Sequence, residues 1–280
     1  MTKLRPAAAI GLSALLLLPL GVAPAIAAAT ATTATPQAAT PKAAPSKTRR
    51  PRPREEPAGV VEPAAVRALQ RMGSYLGTLT SFEVKSETSR DLVTNDGQRL
   101  MLDGTADYKV RRPDSFVIDV NSDAKKRTYY YNGKVFTVFA PDLKFYATAP
   151  APPTIPETLD LLYDRFGISL PLQDLFSWSD PTLHRADTLK SGVAVGASTV
   201  DGVATDQYAF REGDIDWQIW IQHDGDPLPR KVVIIDRSDA AHPTYTAELT
   251  WNVSPTLAAD DFTFHPGADA KLIRLTSVGQ

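Results

Sequence analysis

Residues 215–222, IDWQIWIQ, constrain the fold more than any other stretch of the chain. Side chains of a strand point alternately to opposite faces. Trp217, Ile219 and Ile221 therefore share one side, and Trp220 stands on the other between Gln218 and Gln222. A sheet packed on a single core has one wet face; this strand has a continuous apolar face and a tryptophan on its back. A curved sheet meets both demands if helices close one face around an apolar interior and the other face is partly covered.

The rest of the body repeats the pattern. Alternating runs begin at Phe82 and continue through Tyr108 to Phe116, Ile118 and Val120, with turns at NDG (95–97) and NGK (132–134). After an interruption the alternation resumes, with Tyr208 and Phe210, the 215–222 run, Val233 and Ile235, and then Tyr245, Ala247 and Leu249 in phase. A closing strand is expected at DFTFHP. Two segments read as helical. In the first, 62–79, Ala65, Leu69, Met72, Leu76 and Leu79 form one stripe, and Gly73 and Gly77 weaken its end. The second, 155–177, is punctuated by proline and places Leu159, Leu162, Tyr163 and Phe166 on one face. The expected class is α+β: an unclosed, curved antiparallel sheet of about 11–12 strands, a half-barrel, with an N-terminal helix and a central helical lid on the concave side. Two helices are few for so many strands. A curled sheet remedies the shortage and leaves room for a hollow; a solid core without ligand satisfies the same pattern.

Residues 1–28 read as a signal peptide: Lys3 and Arg5, an apolar run containing ALLLLPL, and small residues at 25–27 for cleavage. Residues 29–58 are Ala, Thr, Pro and Lys/Arg without an aromatic side chain, the composition of a disordered linker. The linker suits contact with an anionic membrane surface, or simply solvation. The domain is expected over 59–280. It carries a net charge near −8, because most of the Lys/Arg excess lies before it. That balance excludes nucleic acid as a partner. The chain has no cysteine, which excludes disulfides and thiolate metal sites.

No catalytic motif emerges. G-x-S-x-G, H-E-x-x-H and G-x-G-x-x-G are all missing from the sequence. Ser122 and Lys125 have S-x-x-K spacing, but NSDAKK reads as a turn. His184, His223, His242 and His265 fall singly, so no metal site and no cofactor is expected, and the chain reads as a non-enzyme.

VRRPDSFVIDV (110–120), YNGKVFTVFAPDLKFYA (131–147) and FTFHP (262–266) occur in the order and rough spacing of the periplasmic outer-membrane lipoprotein carriers, and the chain resembles that family. Its second half, DWQIWIQ followed by PLPRKVVI, is similar to an uncharacterised predicted periplasmic family, a domain of unknown function grouped with the carriers by fold. The resemblance implies a soluble protein of the Gram-negative periplasm, a monomer, that sequesters lipid, acyl chains or a lipidated protein in an apolar cavity. The alternative is a non-enzymatic cell-envelope interaction or scaffold protein with a packed core. On the carrier reading the cavity is lined by Phe82, Tyr108, Phe116 and Ile118 from the first half. The second half adds Tyr208, Phe210, Trp217, Ile219, Ile221 and Tyr245. Leu159, Leu162, Tyr163 and Phe166 belong to the lid, and Arg112, before the proline, is its latch.

Overall fold

A computed structural model describes residues 59–123, 125–179 and 187–277. The signal peptide and linker expected at 1–28 and 29–58 lie outside the described residues. Helix α1 (Pro63–Thr78) is followed by six strands: β1 (Ser81–Val93), β2 (Arg99–Arg111), β3 (Ser115–Ser122), β4 (Lys125–Asn132), β5 (Val135–Ala140) and β6 (Phe145–Pro150). An insert carries α2 (Ile155–Phe166) and α3 (Asp174–Ser177). Five strands follow: β7 (Leu189–Val200), β8 (Val203–Glu212), β9 (Ile215–Gln222), β10 (Pro229–Asp236) and β11 (Thr244–Asn252). A 3₁₀ turn at Ala259–Phe262 and a two-residue strand, β12 (Lys271–Leu272), end the described fold.

All twelve strands belong to one open sheet of order β12-β6-β5-β4-β3-β2-β1-β11-β10-β9-β8-β7. Two antiparallel meanders meet where β1 pairs with β11, from Glu83 opposite Asn252 to Arg90 opposite Tyr245. Among the described strands the only parallel pair is β12 on β6. The order explains the insert. Strand β6 lies near one edge and β7 forms the other, so the segment joining them must cross the sheet. It does so over the inner face: Leu162, Leu170, Leu172, Leu175 and Phe176 share one apolar core with the inward residues of the strands and the buried stripe of α1.

Pro63 starts α1 at a position that needs no backbone donor. Just before it, Glu62 N–H donates to Gly192 O at 2.7 Å and Gly192 N–H to Val60 O at 2.9 Å, so residues 60–62 cover part of the β7 edge. Gly73 has a packing role that its helix propensity conceals. A Cβ there would stand 2.3 Å from the Trp178 carbonyl oxygen, so glycine lets the end of the insert lie directly on α1. Thr154 caps α2 by accepting from Glu157 N–H, and Gly167 ends it in the left-handed conformation at φ 63°.

Two expectations are corrected. The inward residues of β10 are Val232 and Ile234, not Val233 and Ile235. A register shift between Pro229 and Lys231 moves the alternation by one. The expected FTF strand does not form: Ala259–Phe262 is a 3₁₀ turn, and Thr263–Pro266 has no ladder partner among the described residues. This segment instead straps the outer face, where the Phe264 ring lies 5.0–5.4 Å from those of Tyr130, Phe139 and Tyr146. Trp220 also finds cover on that face, under the Lys231 ammonium at 5.6 Å. Around it the outer face is polar, with Lys231 bonded to Glu248 at 2.7 Å and Arg211 to Asp216 at 2.5 and 2.8 Å.

Candidate functional site

The inner face brings the residues singled out from the sequence into one core. On the first meander Tyr108 stands opposite Ile118, with Phe116 one rung along and Phe82 across from Val110. On the second, Phe210 stacks on Trp217 with ring centroids 4.4 Å apart, and Tyr208 pairs with Ile219. Phe116, Ile118, Ile219 and Ile221 have 0% of their surface exposed. Tyr245 packs partly buried against this core. Space that holds a water would give its lining side chains accessible surface, so these residues are in direct contact with other protein atoms.

Much of that contact comes from the insert. Phe176 lies 6.2 Å from Phe116, and the Tyr108 hydroxyl donates to the Pro171 carbonyl. Leu162 is fully buried, and Leu159 and Phe166 are partly buried against the core. Tyr163 of the same stripe is 55% exposed and does not join them.

Arg111 and Arg112 go to opposite faces. Arg111 lies over the Phe262 ring of the outer strap at 4.8 Å and donates to Ser115 Oγ at 3.2 Å. Arg112 turns inward, 5.9 Å above the Phe82 ring, and its Nη1 donates to Ser179 Oγ at 2.9 Å. Ser179 in turn donates to the Phe176 carbonyl at 3.0 Å, so Arg112 is tied to the turn that ends α3. Among the described residues its buried Nε and Nη2 have no hydrogen-bond partner, and burial lowers the guanidinium's pKa from its usual value. The next residue holds the other end of the insert: Ile155 N–H, at the start of α2, donates to the Pro113 carbonyl at 2.9 Å. Nearby, the Tyr131 hydroxyl donates to the Pro152 carbonyl at 2.5 Å. Residues 112–113 thus grip the insert at both ends. Ser179 and the two proline carbonyls carry no signal in sequence, because they act through the chain's path and not through a motif.

A separate cavity of about 360 Å³ opens on the outer face, between β4–β6 and the strap, lined by Tyr130, Tyr146, Phe262, Phe264 and Leu272 among others. Among the described residues no three His, Asp or Glu side chains gather as metal ligands would. Nor is any helix among them long and apolar enough to cross a membrane.

A family model described as "Predicted periplasmic protein (DUF2092)" matches residues 65–276. The chain belongs to this family. The match takes in every element from α1 to β12, so the DUF2092 domain is the whole open sheet with its insert. No curated protein matches the chain. Among solved structures, lipoprotein LppX of Mycobacterium tuberculosis is similar at 15% identity, over 70% of this chain and 100% of that one, with a TM-score of 0.46. An uncharacterized conserved protein of Thermus thermophilus is similar at 11% identity, over 75% and 99%, with a TM-score of 0.44. A LolA superfamily protein of Nitrosomonas europaea is similar at 10% identity, over 71% and 97%, with a TM-score of 0.34.

Proposed function

We propose that this DUF2092 protein is a periplasmic binding protein, not an enzyme, and that its insert is a lid over an acyl-chain site on the concave face. Residues 1–28 direct export and are removed, 29–58 tether the domain, and a single chain binds the ligand, an acyl chain of a lipid or of a lipidated protein. The reading rests chiefly on how the insert is held. A buried guanidinium that makes one bond to the insert and leaves two donor atoms unpartnered is costly. Such a contact suits a lid that must release. In the state described here, insert side chains such as Leu162, Leu175 and Phe176 occupy the place an alkyl chain would take. Each methylene transferred from water to that surface gains about 0.8 kcal/mol, so a ligand of ordinary acyl length can offset lifting the insert. The family's periplasmic description agrees with export.

The near-zero exposure of Phe116, Ile118 and Ile219 favours a second reading, a cell-envelope scaffold with a permanently packed core that docks partners through its linker and sheet edges. Native mass spectrometry of the gently purified chain, with uptake of a fluorescent fatty acid, separates the two. The lid reading expects bound lipid and saturable uptake, with faster amide exchange in 155–177 on loading. Lipid-free protein that takes up nothing refutes it and leaves the scaffold.

A further inference from the structure

The apolar floor does not run the full length of the concave face. Toward the β1–β2 turn the inward rungs become small, half-exposed and then cationic. Thr88 stands opposite Gly104, Gly104 opposite Ser122, and Ser122 opposite Lys125. One rung back, Arg127 stands opposite Val120. One rung onward, Arg90 stands opposite Leu102 on β2 and Tyr245 on β11. None of Thr88, Gly104, Ser122, Lys125, Arg127 or Arg90 is fully covered. Small side chains thus separate Lys125 on β4 from Arg90 on β1, and the Lys125 ammonium still feels the Arg90 charge across them.

This grouping is unfavourable as it stands. The Lys125 ammonium is pushed down to about 8, first by burial and then by the charges of Arg90 and Arg127, with no carboxylate offsetting them. None of the three cations is in an ion pair among the described residues. Across the ladder from Arg90, the buried Tyr245 hydroxyl has no hydrogen-bond partner among the described residues. The Tyr108 hydroxyl reaches the Pro171 carbonyl, and Asp174 of α3 is the carboxylate felt by both tyrosines. Half-desolvated like charges repel strongly, and an anion is what such a group lacks.

We infer that the half-open end of the concave face binds an oxyanion: Arg90, Lys125 and Arg127 receive the carboxylate or phosphate head of an amphiphile whose alkyl chain lies along the apolar floor. The inference rests on the lid reading above and adds the class of ligand, an anionic single-headed lipid and not a neutral one. Guanidinium groups offer paired donors that match a carboxylate or phosphate, and the ammonium adds a point charge. The head is held at the rim while the chain runs inward under the insert.

Titration calorimetry of the full chain with dodecanoate, dodecanol and inorganic phosphate tests this. Dodecanoate is expected to bind at least about tenfold tighter than dodecanol, and phosphate to weaken dodecanoate binding by competition. The double variant Arg90→Gln/Lys125→Gln is expected to lose that preference while keeping its affinity for dodecanol. Lys126→Gln, exposed on the other face of β4, is expected to keep it. Equal affinity for the two chains, or a preference that survives the double variant, overturns the rim assignment and leaves the lid reading standing. Phosphate binding without either alkyl ligand supports the rim and refutes the lid reading. No binding of any of the three refutes both.

Discussion

Arg112 shows how one side chain can join distant parts of this chain. It follows the last residue of β2, covers Phe82 and reaches Ser179 beyond α3. Replacing it with leucine removes that bond but also ends the burial of two unpartnered donor atoms, and the two effects oppose each other. Arg112→Leu is therefore expected to change urea-unfolding stability by less than about 1 kcal/mol while raising amide exchange in 174–179. Unchanged exchange would show that the arginine does not restrain the insert. Lys125 gives a sharper result. Its folded pKa lies below its unfolded value, so the folded state binds fewer protons across that interval and stability rises as pH climbs from about 8 toward the ordinary lysine range. Below that window the penalty is fully present. Discounted for partial exposure, Lys125→Gln is expected to stabilise the protein by about 1 kcal/mol at pH 7, a gain that fades by about pH 10.5. Denaturation curves at the two pH values check it.

Among the elements, α1 offers a paired experiment. Gly73→Ala forces a methyl against the Trp178 carbonyl, a backbone atom that cannot rotate away, and should cost about 1–3 kcal/mol and loosen 170–179. Four residues on, a Cβ at Gly77 would meet nothing closer than 3.8 Å, so Gly77→Ala should be neutral or stabilise by up to about 1 kcal/mol. Thermal unfolding of the two variants should move in opposite directions. In the sequence both glycines read only as weak helix formers, because propensity reports on a helix alone and not on what lies against it. Strand alternation was more legible: 116–120 and 217–221 display their inner faces directly. It failed at 232–235, where a register shift before Lys231 is invisible to counting by twos. It failed also at 262–264, where Phe262 ends a 3₁₀ turn under Arg111 and Phe264 packs on the outer face of the sheet without joining it. The cationic rim carries no signal in the sequence because Arg90 on β1 and Lys125 on β4 are related only through strand register.

For the whole molecule, an open sheet must manage its two edges. Strand β12 covers part of one and residues 60–62 part of the other. A chain lacking 59–62 should leave Gly192 and its neighbours unpaired and self-associate at concentrations where the full chain does not, as sedimentation velocity would report. The strand order also gives the physical reason for the path of the insert. Its helical periodicity was readable and a place on the concave side was expected; that it must cross the sheet follows from linking strands at nearly opposite edges.

The same order has a kinetic consequence. Strands β1–β6 and β7–β11 can each zip from local hairpins, but the seam between β1 and β11 joins residues such as Glu83 and Asn252, most of the domain apart. Loop-closure entropy places that seam late in folding. Two fragments cut within the crossing segment should each form hairpins alone and acquire cooperative unfolding only on mixing, as complementing halves of a split protein do.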